Sequence, residues 1–274
     1  MDSTQIKEHW SKLAAQFKTD LKATTHTDTI KKLEIHALYR AIKKMGAESA
    51  TFDILEVGCG NGYNCFALAE LLTTSNFTGI DYVAEMVESA QKLKIDSSID
   101  SSRINFYAGD VLRLADQKDI KAQYDIVFTD RCLINLNTKA LQCAALDQLS
   151  AKVKNGGYLL ILENSDRTYQ RQNDCRQAVG LPRRTPAEYN LFINEEDFLG
   201  HAQKALKLIG VDDFGTLHDI VLYVLVPMIN GGAVDYKHPL VNAAAELSVS
   251  MADQHGSAFG DFGQNRLFVF HKLQ

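Results

Sequence analysis

Basic residues are not in excess in this sequence. Its 29 lysines and arginines stand against 34 aspartates and glutamates, which gives a formal net charge of −5. Duplex DNA and RNA favour proteins that carry a basic stripe, because their backbones present closely spaced phosphates. We therefore expect no nucleic acid partner.

Cysteine pairs and metal-ligand motifs are also missing. The five cysteines form an odd count with no CxxC pair, which favours reduced thiols over a disulfide framework. The eight histidines form no HxH or HExxH pattern, and such spacings are the ones that bring two imidazoles onto one metal ion. We expect neither structural disulfides nor a metal site.

Long apolar segments are absent. The most apolar run, from Ile220 to Ile229, has ten residues and contains Pro227, whereas a membrane-spanning helix needs about 20. The first residues, MDSTQIKEHW, carry no basic stretch followed by an apolar one, as a signal peptide would. These features predict a soluble cytoplasmic protein with no membrane partner.

What the sequence does contain is an alternation of strands and helices. Apolar residues recur at helical spacing in the first 45 residues, and strand patterns alternate with helix patterns after them. The predicted strands span 53–57, 76–81, 103–108, 124–129 and 157–162, and the predicted helices among them span 63–73, 83–94 and 138–154. This order predicts right-handed crossovers and a parallel sheet with helices on both faces.

The end of the chain departs from that alternation. A helix over 195–206 precedes a strand in LKLIGVDDF, and the chain ends on a further strand, RLFVFHKL, with no helix after it. Between these strands lie two predicted helices, over 216–229 and 239–254. Strands that are not joined by a crossover helix pair most easily as antiparallel neighbours. We expect the last strand to run against the others.

The segment ILEVGCGNGYN, residues 54 to 64, predicts a ligand site at the end of the first strand. Gly58, Gly60 and Gly62 remove every β-carbon where the chain turns from strand into helix, so a ligand can lie against the backbone there. Two ligand classes fit this pattern: phosphates at a helix N-terminus, or a nucleoside whose sugar and tail cross the glycines.

Two acidic residues distinguish between these ligands. The dinucleotide fingerprint G-x-G-x-x-G fails because position 63 is tyrosine. Asp81, at the end of the second strand, can accept hydrogen bonds from ribose hydroxyls, although enzymes that use NAD share this feature. Asp110, after the third strand, can accept the amino hydrogen of an adenine that packs on Val111. This combination favours an adenosyl ligand.

Together these segments resemble the class I S-adenosylmethionine-dependent methyltransferases. The matching motifs are EVGCGNG at 56–62, the aspartate after the second strand, GD at 109–110 and YDIVFTD at 124–130. The resemblance implies an α/β, Rossmann-like, mostly parallel seven-stranded sheet with a reversed last strand, S-adenosylmethionine as cofactor, and methyl transfer as the activity.

By this resemblance the glycine turn and Glu56 border the methionine tail of the cofactor, Asp81 the ribose and Asp110 the adenine. The candidate cofactor contacts are Thr25, Glu56, Gly58, Cys59, Gly60, Asn61, Gly62, Asp81, Tyr82, Gly109, Asp110, Val111 and Asp130. We expect residues 1–45 to form a helical lid over this site. Residues 46–274 then form the methyltransferase domain, with a helical insert over 215–262, and the whole is a single compact domain.

The acceptor is less well defined. The segments ATTHTDTIKKLEIHAL, TDRCLINLNTKALQCAAL and FGQNRLFVF look like a branch of these enzymes found with surface-polysaccharide or small-metabolite biosynthesis. No NPPY motif follows the fourth strand and no Pro-Cys pair exists, which argues against DNA methylation. A small molecule or saccharide is therefore the expected acceptor, and the choice between O- and N-methylation stays open.

We expect the acceptor at the carboxyl end of the fourth strand, where ligands bind in open α/β sheets. The candidate acceptor contacts are Arg131, Asn135, Tyr189 and Asn190, and the candidate catalytic residues are Arg131 and Tyr189. Arg131 has an alternative role, the neutralisation of Asp130 or Glu163.

Several simpler or rival interpretations remain at this point. His218 and Asp219 are predicted not to form a catalytic pair, because adjacent residues on a helix do not face each other. Cys59 is expected to fill space. The rival functions are a nicotinamide-dependent oxidoreductase, which would share the sheet, and a non-catalytic binding protein on the same fold. A homodimer is compatible with all three functions.

Overall fold

Seven strands form one sheet in the computed structural model, which describes residues 1–25, 27–255 and 259–273. In chain order the strands are β1 (Asp53–Val57), β2 (Asn76–Asp81), β3 (Ile104–Ala108), β4 (Tyr124–Asp130), β5 (Val153–Asn164), β6 (Lys207–Asp212) and β7 (Asn265–His271). Their order across the sheet is β3-β2-β1-β4-β5-β7-β6. β7 pairs antiparallel with both β5 and β6, and the pairs among β1 to β5 are parallel. The predicted Rossmann-like sheet with a reversed last strand is confirmed.

Helices cover both faces of the sheet. They are α1 (Ser3–Phe17), α2 (Asp28–Lys44), α3 (Tyr63–Leu71), α4 (Ala84–Asp96), α5 (Lys139–Lys152), α6 (Asp166–Ala178), α7 (Glu195–Ala202), α8 (Thr216–Ile220), α9 (Val226–Ile229) and α10 (Pro239–His255). A turn of π-helix over Val221–Leu225 joins α8 to α9, so the helix predicted over 216–229 is continuous but irregular. Within the described ranges, every helix is too short or too polar to cross a bilayer.

Helix α6 was not predicted from the sequence. Its residues, DRTYQRQNDCRQA, are polar on every side and therefore show no apolar stripe. The helix nevertheless buries one face through polar side chains, among them Thr168, Gln172 and Asn173. Gln172 and Asn173 form hydrogen bonds to neighbouring segments, and Tyr169 packs against Ile134 and Phe192.

Helix α2 belongs to the main hydrophobic core. Its Leu33, Leu38 and Ile42 are fully or almost fully buried and pack in one cluster with Ile54 of β1 and Phe128 of β4. The helix begins after its N-cap, Thr27, whose side chain accepts a hydrogen bond from Ile30 N. The segment predicted as a lid therefore contains one helix that is part of the core.

Helix α1 packs differently. It buries only Ile6 and Ala14, and Ala14 packs against Val83 and Met86 at the start of α4. Its first turn is held by a capping box between Asp2 and Gln5. A polar bridge, residues 18–27, joins α1 to α2, and its His26 lies outside the described residues. α1 is thus a surface helix, laid over the sheet edge where the predicted site lies.

The helical insert has a small core of its own. Val221, Leu222 and Val226 pack against Val241 and Ala244 of α10. α10 in turn contacts α2, and His36 of α2 lies 3.0 Å from Asp253 of α10. The insert therefore closes over the same sheet edge as α1, from the other side.

Candidate active site

A cavity of about 420 Å³ lies at the carboxyl ends of β1 to β4. Its walls come from α1, the bridge after α1, the four strand ends, the loop over 184–192 and the helical insert. Eleven of the thirteen predicted cofactor contacts line it, namely Thr25, Glu56, Gly58, Cys59, Gly60, Asp81, Tyr82, Gly109, Asp110, Val111 and Asp130. The four predicted acceptor contacts, Arg131, Asn135, Tyr189 and Asn190, line it as well.

The glycine turn closes one end of the cavity. Gly58 has a φ of 77°, and a β-carbon there would lie 2.5 Å from Cys132 Sγ. Gly62 has a φ of 81°, and a β-carbon there would lie 2.7 Å from the ring of Phe106. Both positions thus require glycine, in conformation and in space. Gly62 does not line the cavity, so its role in this structure is packing beneath the turn.

Asn61 also points away from the cavity. Its side chain is fully buried, and Nδ2 donates to the backbone oxygens of Lys18 and Asp20, at 3.2 and 2.9 Å. It was predicted to contact the cofactor, whereas here it joins the glycine turn to the segment that follows α1. These hydrogen bonds therefore hold the glycine turn against the segment directly after α1.

Asp81 is held by two backbone amides. Oδ2 accepts a hydrogen bond from Gly60 N at 2.8 Å, and Oδ1 accepts one from Val83 N at 2.9 Å. Burial raises the pKa of this carboxyl to about 6. Each carboxylate oxygen has a second lone pair, so Asp81 can accept from two adjacent hydroxyl groups in the cavity.

Glu56 is the most deeply buried acid of the turn. Asn64 Nδ2 donates to its Oε1 at 2.8 Å, and Cys65 Sγ lies 3.0 Å from its Oε2. Burial raises the pKa of Glu56 to about 8, because the two hydrogen bonds do not offset the loss of solvation. A cation at this end of the cavity would favour its ionised form.

The third strand leads into a short turn that completes this end. Asp110 Oδ1 accepts a hydrogen bond from Leu112 N at 2.9 Å and so caps the turn over Val111–Asp116. Val111 is buried beside it and presents an apolar surface to the cavity. A carboxylate that can accept a hydrogen bond, next to an apolar wall, suits a flat base with an exocyclic amine.

A buried network joins four charged residues, of which Lys31, Asp130 and Arg131 line the cavity and Glu34 does not. Lys31 Nζ is 2.5 Å from Asp130 Oδ2 and 2.8 Å from Glu34 Oε2. Arg131 Nε is 2.9 Å from Glu34 Oε1. Burial alone would raise the pKa of Asp130, but the charges of Lys31 and Arg131 outweigh it and hold that pKa below its usual value. Asp130 therefore stays ionised where it lines the cavity.

Arg131 pairs with Asp130, one of the two carboxylates considered in the sequence, and more closely with Glu34, which was not considered. Its guanidinium pairs with Glu34 of α2, while the nearest oxygen of Asp130 is 3.6 Å from Nε. Glu163 accepts backbone hydrogen bonds from residues 132, 133 and 134 and makes no ion pair with Arg131. The alternative, structural role of Arg131 is thus the neutralisation of Glu34 and, at the longer distance, of Asp130. Its backbone has a φ of 53°.

The predicted acceptor contacts form one wall with α1. Trp10 Nε1 donates to Asn135 Oδ1 at 3.1 Å. The Tyr189 ring stacks on His9 with ring centres 4.3 Å apart and meets Trp10 edge-on. Asn190 Oδ1 is buried with no hydrogen-bond partner among the described residues. This wall offers aromatic faces and an unused acceptor oxygen.

His218 and Asp219 do form a hydrogen-bonded pair, which corrects the sequence-based expectation. His218 Nδ1 lies 3.0 Å from Asp219 Oδ1, and both residues are buried and line the cavity. Gln172 Nε2 and Gln264 N donate to Asp219 Oδ2, at 2.9 and 2.6 Å. These two bonds from outside the helix turn Asp219 toward its neighbour, against the usual divergence of adjacent helical side chains.

The family comparison decides the class of the protein. Residues 48–204, more than half of the chain, match a family described as a methyltransferase domain. The chain belongs to the class I S-adenosylmethionine-dependent methyltransferases. The resemblance read from the glycine turn and the two aspartates is confirmed, and the nicotinamide-dependent and non-catalytic alternatives are set aside.

Curated relatives of the methyltransferase match only part of it. It is 28% identical over 108 residues to malonyl-[acyl-carrier protein] O-methyltransferase of Bacillus cereus, over 39% of this chain and 37% of that protein. It is 26% identical over 147 residues to the enzyme of the same name from Priestia megaterium, over 52% and 49%. The chain thus matches about half or less of the length of these relatives.

Solved structures share the fold over its whole length. Magnesium protoporphyrin IX methyltransferase from Synechocystis, with bound S-adenosylhomocysteine, has a TM-score of 0.61 at 12% identity, over 99% of this chain and 100% of that one. N-methyltransferase NodS from Bradyrhizobium japonicum, also with S-adenosylhomocysteine, has a TM-score of 0.56 at 14% identity, over 98% and 99%. At these identities the likeness shows the fold alone.

Several residues of the methyltransferase cavity were not predicted from sequence. They are Trp10 and Lys31 of the N-terminal helices, Tyr169 and Arg184 near α6, and Tyr223 and Tyr236 of the insert. None of them belongs to a motif, and each reaches the cavity through packing between distant segments. Only the aromatic and basic content of 183–192 and 215–262 signalled that these regions would contribute.

Proposed function

We propose that this methyltransferase transfers the methyl group to a hydroxyl of a small-molecule or saccharide acceptor. The observation that carries the proposal is the buried His218–Asp219 pair in the cavity wall. A hydroxyl acceptor must lose a proton as it attacks, and a positioned histidine is the side chain best suited to take it near neutral pH. The enclosed cavity favours a small acceptor or one sugar unit of a larger one.

The hydrogen bonds around His218 assign its tautomer. Asp219 accepts three hydrogen bonds, from His218 Nδ1, Gln172 Nε2 and Gln264 N. Nδ1 of His218 then carries the proton. Nε2 carries the lone pair and accepts from the Thr29 hydroxyl at 3.1 Å. When the acceptor binds, its hydroxyl replaces Thr29 at Nε2 and gives up its proton there.

The contacts proposed for the cofactor are inferred from the residue types at the end of the cavity that the glycine turn closes. When bound, S-adenosylmethionine supplies a methyl group on a sulfonium that is already electrophilic. Asp81 would accept hydrogen bonds from the ribose hydroxyls and Asp110 one from the adenine amine, and Glu56 would border the methionine tail. Thr25 and Tyr82 cover the same end from the side of α1. These residues bind and orient the donor and exclude water from it.

The acceptor end supplies hydrogen bonds and aromatic faces. Asn190 Oδ1 needs a donor, and a second hydroxyl of a polyhydroxylated acceptor would provide one. Tyr189, stacked on His9, forms a rigid face against which a ring can pack. Both features support an acceptor with several hydroxyls on a ring, which agrees with a saccharide or a hydroxylated small molecule.

Product analysis tests this function. Hydroxylated small molecules and saccharides, each paired with its amino analogue, are incubated with the enzyme and methyl-labelled cofactor, and products are identified by mass spectrometry. We expect methylation of the hydroxyl member and not of the amino member. His218→Gln should lower kcat by about 10²- to 10⁴-fold, the usual contribution of a general base, with unchanged cofactor affinity.

A second histidine provides the matched control. His201 forms a similar pair with Asp147, at 2.7 Å, but lies at the surface outside the cavity. His201→Gln should leave kcat unchanged. Methylation of the amino members, or an unaltered kcat in His218→Gln, would refute the assignment of His218 and with it the hydroxyl acceptor.

A further inference from the structure

Arg184 projects into the cavity from the loop that follows α6, and neutral groups hold it there. Its Nη1 donates to Gln172 Oε1 at 3.0 Å, and its Nη2 donates to Gln264 Oε1 at 3.1 Å. The backbone is fixed too, since its amide donates to Asn173 Oδ1 at 2.8 Å and its carbonyl accepts from Asn173 Nδ2 at 3.0 Å. The guanidinium is therefore fixed in position by partners that leave its charge intact.

Two tyrosine rings complete the setting of Arg184. The centre of its guanidinium lies 3.4 Å from the ring centre of Tyr223 and 5.2 Å from that of Tyr169. Both tyrosines line the cavity. Stacked arginines retain the N–H groups along the guanidinium edge for a planar anion, because the stack occupies only the face.

Arg184 differs in its partners from most arginines around it. Arg167 and Arg171 pair with Asp261, Arg183 with Asp174, and Arg266 with Asp213 and Glu195, whereas Arg176 donates to the backbone oxygens of Pro182 and Tyr223. Among the described residues, no carboxylate lies within ion-pair distance of Arg184. The pKa of the neighbouring Arg176 is lowered, mainly by burial and next by the positive charge of Arg184.

The carboxylate of Asp219 is connected to Arg184 indirectly, through two glutamines. Asp219 accepts from Gln172 and Gln264, the same two residues that accept from Arg184. Its oxygens are occupied by three donors, so Asp219 fixes the two glutamines and orients their oxygens toward the guanidinium. The four residues form a closed hydrogen-bonded ring whose cationic member, Arg184, lines the cavity together with Asp219.

We propose that Arg184 is the binding site for an anionic group, a carboxylate or a phosphate, on the acceptor. This inference rests on the proposed function in one respect, namely that this end of the cavity holds the acceptor. A fixed guanidinium with free edge N–H groups suits two oxygens of one planar or tetrahedral anion. The acceptor is then a hydroxylated acid or a phosphorylated sugar, rather than a neutral saccharide.

Binding measurements test the proposal without turnover. The enzyme saturated with S-adenosylhomocysteine is titrated by calorimetry with matched anionic and neutral probes: glucose 6-phosphate against glucose, and 4-hydroxybenzoate against 4-hydroxybenzamide. We expect at least one anionic probe to bind about tenfold or more tightly than its neutral partner, as charge-assisted hydrogen bonds to arginine allow. The first pair tests a phosphate and the second a carboxylate.

Two variants locate the preference. Arg184→Gln removes the charge and should abolish the difference between the anionic and neutral probes. Gln264→Glu keeps Arg184 but places a carboxylate oxygen where the amide oxygen accepts from Nη2, and it too should reduce the preference about tenfold. Arg171→Gln removes one arginine from the exposed face of α6 and should leave the preference unchanged.

The proposal is overturned if neither anionic probe binds more tightly than its neutral partner, or if Arg184→Gln and Gln264→Glu both keep the preference. The wild-type comparison and Gln264→Glu retain their force even where Arg184→Gln does not fold. These results are separate from those that test His218. Methylation of nitrogen would refute the hydroxyl acceptor while leaving anion binding intact, and loss of anion selectivity would leave O-methylation intact.

Discussion

Asp81 presents both carboxylate oxygens to the cofactor end of the cavity while the backbone holds it in place. Asp81→Ala should weaken binding of S-adenosylmethionine by on the order of 1.5 to 3 kcal/mol, because it removes charge-assisted hydrogen bonds to the ribose. Calorimetric titration measures this directly. Asp116→Ala, at an exposed aspartate paired with Arg113, is the control. Equal affinities for the Asp81 variant and wild type would remove the ribose assignment.

Glu56 makes stability depend on pH. Its pKa is raised by burial from 4.5 to about 8, so the folded state holds a proton that the unfolded chain releases. The stability from this proton is complete below pH 4.5 and is lost as pH rises toward 8, with a slope of up to about 1.4 kcal/mol per pH unit. Burial raises the pKa of Glu163 to about 8 as well.

Urea unfolding of the unliganded protein at pH 5, 6, 7 and 8 checks this. Wild type should lose stability across the series, and Glu56→Gln should lose less, because glutamine has no proton to release. The remaining slope in the variant belongs to Glu163 and, at the acidic end of the series, also to Asp81 and Asp213, because burial raises the pKa of each of these two to about 6. A slope that is identical in the two proteins would mean that Glu56 is ionised in the folded state throughout this range.

Arg131 and Glu34 form a buried ion pair whose loss should be visible in stability. Arg131→Ala should destabilise the protein by about 3 kcal/mol, since it leaves Glu34 buried with less charge compensation. Adding Glu34→Gln should restore part of that loss, whereas adding Asp130→Ala should not, because Asp130 keeps Lys31 as its partner. Urea unfolding of the single and double variants gives the coupling energy.

An acceptor role for Arg131 predicts a different pattern. Its side chain remains 23% exposed, so part of the guanidinium can still meet an acceptor. In that case Arg131→Ala raises the acceptor KM or lowers kcat while cofactor affinity changes by less than about 0.5 kcal/mol. Full activity in a destabilised Arg131→Ala variant would assign the residue to structure alone.

At the scale of elements, α1 and the insert cover the cavity from opposite sides. α1 is the weaker of the two, because it buries only two residues and contacts the sheet edge through α4. It nevertheless contributes Ser3, Ile6, Trp10 and Leu13 to the cavity wall. A lightly packed element over a site is suited to open and close around a ligand.

Removal of residues 1–18 should therefore abolish turnover and leave the sheet folded. The truncation removes the backbone oxygen of Lys18 but keeps that of Asp20, the closer of the two acceptors of Asn61, and it stops before Thr27, the N-cap of α2. Steady-state kinetics and far-UV circular dichroism measure the two effects. Truncated protein with wild-type kcat and cofactor affinity would show that α1 only packs against the surface.

Trp10 offers an internal probe of the same element, because it is the single tryptophan of the chain. Its fluorescence should change at a lower urea concentration than the circular dichroism signal, since α1 opens before the core unfolds. Saturating S-adenosylhomocysteine should bring the two transitions together. Coincident transitions in the unliganded protein would indicate that α1 unfolds only with the rest of the molecule.

At the scale of the whole molecule, the cavity joins segments from both ends of the chain. Its walls combine α1 and the bridge after it with the sheet edge, the insert and residues that precede β7. A ligand in the cavity therefore holds the N-terminal and C-terminal parts together. Such a ligand should stabilise the entire fold and not one part of it.

S-adenosylhomocysteine at 100 times its Kd should add about 2.7 kcal/mol to the free energy of unfolding, the value set by mass action for a ligand that binds only the folded state. NADH at the same concentration should add nothing, because the glycine turn lacks the dinucleotide spacing. Urea unfolding with and without each ligand measures both. Equal stabilisation by the two would contradict the cofactor selectivity of the cavity.

The sequence by itself determined the sheet and the positions of Asp81 and Asp110. Strand ends, the glycine turn and these aspartates lie within short alternating segments, where apolar periodicity and glycine spacing report the local backbone. A ligand-facing residue at the end of a parallel strand is located as soon as its strand is recognised. Tyr189 and Asn190 were also predicted to line the cavity, whereas Arg184 of the same loop and the individual residues of the insert were not.

Only the tertiary structure decided the partners of the charged and polar side chains. Glu34 accepts a hydrogen bond from Asn265, 231 positions away. Helix α2 belongs to the core because its apolar residues pack against β1 and β4. His218 and Asp219 pair because Gln172 and Gln264, from two other segments, hold the carboxylate. Such contacts depend on how distant elements pack, and no periodicity or spacing in the chain records that packing.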